Sequence, residues 1–263
     1  MKIFFPQVKT KYLLAVVLLL GIFIFNTSDF LPSYTRLAIV FLILPFIFFT
    51  FRKEEHFDKK KYFLILVFSI LATIFYDTVA QNVWLWRFPY ESVSFWILGI
   101  PLEEYIFGFW FPSIVLGIYT SLPKRKVKRG IFDNIPHVSE PILFGIIFAL
   151  QLITLYTFLS NPDSYFKWVL IFAILPSVFY FWRKREHIDK YNLLWTLLIM
   201  VSIVFLIDSI FIPANTWYYN DDSLIGRIFS IPIDDIIFSY FNTIFVIGIY
   251  TSLPNKKLFL GKE

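Results

Sequence analysis

Apolar runs about as long as a bilayer is thick, parted by short charged segments, dominate this chain. A helix needs about 20 mostly apolar residues to cross a hydrocarbon core. Eight candidate spans can be read: Lys11 to Asn26, Tyr34 to Phe51, Tyr62 to Ala80, Val93 to Ser121, Pro141 to Ser160, Tyr165 to Trp182, Tyr191 to Ile212 and Ile225 to Leu253. The fourth and eighth are long and contain Pro101 and Pro232. Each reads as a short interfacial piece followed by a span that starts at the proline, because proline suits the first turn of a helix. Only 16% of the residues are charged and 58% are hydrophobic, against about a quarter charged in a soluble domain. The expectation is an all-α polytopic membrane protein. Lysines precede the first span, as in a signal peptide, but no small-residue cleavage site follows, so it reads as a retained span.

The basic residues set the orientation. They cluster near the N-terminus, in Arg52 to Lys61, in Lys124 to Arg129, in Arg183 to Lys190, and at Lys256 and Lys257. With eight spans, all five clusters fall on one side. The positive-inside rule makes that side cytoplasmic, together with both termini. The net charge of +5 is accounted for in this way, and no nucleic-acid partner is expected. The opposite loops carry Trp84, Trp86, Tyr90, Trp217, Tyr218 and Tyr219, which read most simply as an interfacial aromatic belt. There is no cysteine, so disulfides, thiolate metal sites and thiol nucleophiles are excluded.

A shift of 131 residues lays the chain on itself. Arg52, Glu55, His56, Asp58 and Lys59 fall on Arg183, Glu186, His187, Asp189 and Lys190. Asp77 falls on Asp208. Pro101, Glu103, Glu104 and Phe107 fall on Pro232, Asp234, Asp235 and Phe238. The string Gly117 to Pro123 recurs unchanged at Gly248 to Pro254. Shared charges, prolines and an identical heptapeptide mark a duplication. The expected organisation is two tandem four-helix repeats, residues 1–131 and 132–263. An even number of spans per copy gives both halves one orientation, related by a pseudo-two-fold along the membrane normal.

Acids inside a bilayer are costly and are functional-site hypotheses by default. Asp77 lies about 23 Å along its helix from Tyr62, and Glu103 about 26 Å from Thr120 on a helix running the other way. These acids sit at similar depth toward the outer side, and Asp208, Asp234 and Asp235 repeat the arrangement. A plainer alternative makes them interfacial first-turn acids favoured by the helix dipole, with Asp77 paired to Arg87. Adjacent positions differ by about 100° around a helix, so Glu103 and Glu104 point different ways. One can face a cavity while the other pairs or holds it in place. His56, His187 and His137 read as solvated loop residues, since no metal-ligand spacing accompanies them. No dinucleotide, P-loop, serine-elbow or zinc-protease motif occurs.

Paired Pro-x-acid-acid motifs, one per helical repeat, are characteristic of the heterodimeric-type membrane lycopene cyclases. The chain resembles the fused form of that family over nearly its whole length. The matching residues are Pro101, Glu103, Glu104 and Phe107, then Pro232, Asp234, Asp235, Phe238 and Asn242, with Asp77 and Asp208 each followed by a Trp-containing loop. The second motif departs from the usual Glu-Glu by carrying Asp-Asp, which retracts each carboxyl by one methylene.

The resemblance implies an isomerase of the intramolecular-lyase type in carotenoid biosynthesis, a lycopene β-cyclase working by redox-neutral acid/base cyclisation to γ- and β-carotene. Glu103 or Glu104, with Asp234 or Asp235, would form the acid/base set. Asp77, Asp208 and Asn242 would support them or relay protons. Trp84, Trp86, Trp217, Phe107 and Phe238 would face the substrate and its cation. A buried acid, or a close pair of acids, holds a proton at neutral pH. No cofactor or metal is expected, and a bound flavin stays open. The implied partners are a linear carotenoid from the bilayer, lipid, and other enzymes of the same pathway; the implied location is the plasma membrane, spanned several times. A C50-carotenoid cyclase and a proton-coupled transporter are the alternatives, and ε against β rings stays open.

Overall fold

Helices account for most of the computed structural model, which describes residues 31–51, 57–123, 139–160, 162, 164–184 and 186–253. The expected span Lys11 to Asn26, the loop residues Arg52, Glu55 and His56, the cluster Lys124 to Arg129, His137, Lys256 and Lys257 lie outside the described residues. Among the described residues the helices are α1 (Ser33–Phe51), α2 (Lys59–Asn82), α3 (Leu102–Ser121), α4 (Glu140–Ser160), α5 (Tyr165–Lys184), α6 (Lys190–Phe211) and α7 (Ile233–Ser252). Five of them, α2, α4, α5, α6 and α7, are long and apolar enough to cross a membrane.

Local chemistry starts these helices where the repeat says they should start. Asp58 caps α2 by accepting from the Lys60 and Lys61 amides at 2.9 and 3.3 Å. Its repeat partner Asp189 caps α6, accepting from Tyr191 and Asn192, both at 3.1 Å. A capped start satisfies amides that have no partner within the helix. His187 is exposed in the turn before this cap.

The short pieces ahead of α3 and α7 are β-hairpins: β2 (Trp96–Ile97) with β3 (Ile100–Pro101), and β5 (Arg227–Ile228) with β6 (Ile231–Pro232). Pro101 and Pro232 stand one residue before the helix, in extended conformation. The first hairpin turns through Leu98 and Gly99 at φ of 53° and 78°, the left-handed pair that a tight two-residue turn requires. Beside the hairpins, the loops are closed differently in the two halves. Arg227 pairs with Asp221 at 2.6 Å in the second half. Tyr90 and Trp96 hold the same positions in the first, with ring centroids 5.3 Å apart.

One helix breaks the repeat. α5 contains a π-helical turn, Leu170–Ile174, whereas α1 is regular. Gln151 of α4 donates from Nε2 to the Ile171 carbonyl at 3.0 Å. A π turn frees carbonyls from the helix ladder, and a side-chain donor satisfies one of them.

The halves interlock at both ends. At one end the Asp58 amide donates to the Tyr250 hydroxyl (2.8 Å), and the Asp189 amide donates to the Tyr119 hydroxyl (3.1 Å). At the other end β1 (Trp86–Arg87) pairs antiparallel with β4 (Tyr218–Tyr219) of the opposite half. There the Asn220 amide bonds the Leu85 carbonyl at 3.0 Å, and Ser92 Oγ bonds the Thr216 carbonyl at 2.7 Å. Thr216 corresponds to Leu85, and Pro89 corresponds to Asn220. Proline has no amide to give, and the Ser92 hydroxyl supplies the donor instead. Between the ends an apolar core runs through both halves, with Leu37, Phe41, Trp110, Ile114, Met200 and Ile247 buried in it, and a second cluster gathers around Leu85, Phe158 and Trp168.

Candidate active site

The six acids singled out in the sequence are all buried, but they divide into two kinds. The first acid of each pair is turned to its own loop. Glu103 Oε1 accepts from Thr35 Oγ1 (2.7 Å), Ser94 N (3.0 Å) and Ser94 Oγ (2.7 Å). Asp234 Oδ2 accepts from Ile225 N at 3.0 Å, and Ile225 is the repeat partner of Ser94. Neither Glu103 nor Asp234 lines the cavity. The second acid of each pair, Glu104 and Asp235, does line it, together with Asp77 and Asp208. Four acids from the two halves thus meet in one cavity. It encloses about 1290 Å³ of empty space, counting its open mouth.

The two clusters differ in their partners. Glu104 accepts a hydrogen bond from the Tyr34 hydroxyl. Asp77 lines the same cavity beside it. Asp77 Oδ1 accepts from Trp86 Nε1 at 3.1 Å, and its Oδ2 meets no donor among the described residues. Arg87 is not the partner expected for Asp77; its guanidinium lies over the Trp84 ring, 5.1 Å from the centroid. In the second half, both oxygens of Asp235 are taken by phenols, Tyr165 at 2.6 Å and Tyr219 at 2.5 Å. Burial, with the Asp235 carboxylate next, pushes the Tyr219 phenol above its ordinary value, so it stays a donor. Asp208 Oδ2 and Trp217 Nε1 have no hydrogen-bond partner among the described residues. In the first half, the matching Trp86 donates to the matching Asp77.

The rest of the wall is aromatic. Trp86, Trp217, Phe107 and Phe238, expected to face the substrate, do line the cavity, as does Asn242. Trp84 does not: it is 45% exposed, in a left-handed turn position at φ 56°. The loops cross at this point. Trp86 packs on Tyr165 of the opposite half (ring centroids 5.3 Å), and Trp217 packs on Tyr34 (5.4 Å). Trp86, Trp217 and Tyr219 are therefore more than an interfacial belt, whereas Tyr90 and Tyr218 are exposed as a belt would have them. Sequence reasoning does not single out Tyr34, Tyr165 and Tyr219 as site residues. Tyr34 and Tyr165 are separated by the repeat shift, which is the signal that could have found them. Tyr219 falls on Phe88 and carries no such signal.

An apolar, aromatic cavity with a few convergent acids suits proton chemistry on a hydrocarbon. The acids can give and take a proton, and aromatic faces stabilise positive charge that forms between them. Among the described residues no group of three or more His, Cys, Asp or Glu is arranged to hold a metal ion.

A family model described as lycopene cyclase matches the chain over residues 31–122 and again over 163–253. The first stretch holds α1, α2 and α3, the second α5, α6 and α7, and α4 lies between them. No curated protein and no solved structure matches the chain. The tandem match covers more than half of the sequence, and the chain belongs to the lycopene cyclase family in its fused, two-domain form.

Proposed function

We propose that the cavity converts a linear end of lycopene into a β-ionone ring, with the two halves doing different work. The observation that carries this reading is the meeting of Glu104 and Asp77 with Asp235 in one apolar cavity. Two carboxyl groups buried in one dry cavity do not both ionise, because like charges and lost hydration favour the neutral form of one. The Glu104–Asp77 pair is thus the proton source. Asp235, accepting at both oxygens, is the ionised base.

The reaction gains and loses one proton. Glu104 protonates the inner carbon of the terminal double bond, leaving a tertiary cation at the outer, dimethyl carbon. The next double bond of the same end attacks it, closing a six-membered ring and moving the charge inward. Asp235 removes the proton from the carbon that formed the new bond, and those electrons become the ring double bond. Trp86, Trp217, Phe107 and Phe238 present faces to the cation, and the fixed Asp235 charge favours it in this dry site. Asp208 and Asn242 support the base, and Glu103 and Asp234 hold the loops that cover the acids. No cofactor takes part in these steps. The wider reading is an eight-span plasma-membrane protein with cytoplasmic termini, built from four-helix repeats 1–131 and 132–263.

The test is cyclisation of lycopene in vesicles holding the purified chain in deuterated buffer. The wild type is expected to yield mono- and bicyclic product with one deuterium per ring. Asp235→Asn is expected to form little product but to return deuterium to unreacted lycopene, because protonation still occurs and reverses. Glu104→Gln is expected to do neither. Lycopene left unchanged by the wild type sinks the function; label appearing with Glu104→Gln and not with Asp235→Asn reverses the roles.

A further inference from the structure

The cavity runs further past the acids along α2 and α7 than along α6 and α3, where it reaches Val204 and Phe111. On α2 it follows Tyr76, Thr73, Ala72, Ser69 and Ile65, and on α7 it follows Asn242, Val246 and Ile249. Asp235 to Ile249 is about 21 Å of helix at the usual rise per residue. The outer wall is Phe68 of α2, half exposed, whose ring meets Phe245 of α7 edge-on at 6.2 Å.

The repeat predicts a second path of the same kind between α6 and α3, and packing closes it. Where α2 has Ser69 and Ala72, α6 has Met200 and Ile203. Met200 is fully buried, and Ile203 packs on the same core. Val246 and Ile249 of α7 line the cavity, whereas the matching Val115 and Ile118 of α3 do not. Two small side chains replaced by two large ones account for the difference. A filled interior has no room for another chain of atoms.

We propose that the polyene of a linear carotenoid lies in this channel between α2 and α7, entering from the lipid between Phe68 and Phe245, and that Ser69 and Ala72 determine whether a long substrate fits. This rests on the reading of the cavity as the cyclisation site. One channel admits one bound orientation, so only one end meets the acids at a time. A bicyclic product then requires release and re-entry with the other end first.

The experiment compares two substrates with the full chain in lipid vesicles: lycopene, and an analogue with the same acyclic end group on a polyene too short to pass Ala72. If the wild type cyclises neither, the function itself is wrong. With both cyclised, the variant Ser69→Met/Ala72→Ile, which gives α2 the residues of α6, is expected to lose at least tenfold on lycopene through a raised KM. The same variant should keep the short analogue within twofold of wild type, which also reports that it is folded. The milder Ala72→Val is expected to show the same selectivity at smaller size. Equal losses on both substrates in both variants, or no loss on lycopene, overturn the proposal.

Discussion

Glu103 and Glu104 are neighbours with the same chemistry and opposite surroundings. Glu103 accepts three hydrogen bonds from Thr35 and Ser94, which tie the start of α3 to α1 and to the loop before it. Removing a buried acceptor leaves its donors unpaired, at about 1–3 kcal/mol. Glu103→Ala should therefore lower thermal stability in detergent by that order, while Glu104→Gln keeps stability and loses turnover. Melting curves beside activity separate the two. Tyr219 gives a second contrast, because its repeat partner is Phe88. Tyr219→Phe removes one of two donors to Asp235. A hydrogen bond to a charged group contributes about 1.5–3 kcal/mol, so turnover should fall roughly ten- to hundredfold with KM for lycopene little changed. The acids were legible in the sequence because a charge stands out in an apolar run and recurs at the repeat shift. Which acid of each pair faces inward was not. Adjacent helix positions diverge by about 100°, and only the loops that cover α3 and α7 decide which one they hold. Tyrosine is common in this chain, 15 in all, so those that bond the acids do not stand out.

Helices inside lipid gain little from burying apolar surface and depend on close packing, which small residues permit. Gly248 of α7 shows how close. A Cβ there would stand 2.6 Å from Tyr180 Cβ of α5. Gly248→Ala is expected to force these helices apart and destabilise the protein by about 1–3 kcal/mol, read as a lower melting temperature; an unchanged melt would show that the contact is loose. Gly108 of α3 stands similarly against Thr73 of α2, whose Oγ1 would be 2.8 Å from an added Cβ. Element positions were largely readable. The expected starts at Pro101 and Pro232 fall one residue from the observed helices, because proline closes the extended segment and its missing amide costs nothing at a helix start. The hairpins before them were not readable. Strands of two residues have no periodicity, and their apolar letters merge with the span. The π turn in α5 was equally silent, since its support, Gln151, comes from a different helix.

At the scale of the whole molecule, the duplication is visible in sequence, but the exchange between copies is not. A repeat announces that two units exist and says nothing about which unit's loop covers which site. The structure crosses them: β1 pairs with β4 of the other half, Trp86 reaches Tyr165, and Trp217 reaches Tyr34. Each acid cluster is therefore walled by both halves, and the common cavity exists only when they are together. A chain divided between residues 131 and 132 should then cyclise lycopene when both pieces are made in one cell and not when either is made alone. Pigment extracts from lycopene-accumulating cells report the outcome, with each piece confirmed in the membrane fraction. Replacing Trp86 should impair the pair and the intact chain alike, because its ring packs on Tyr165, a donor to Asp235 in the second piece. Ring formation by a single piece would mean that each copy carries a complete site, and that the crossing of the loops serves assembly and not chemistry.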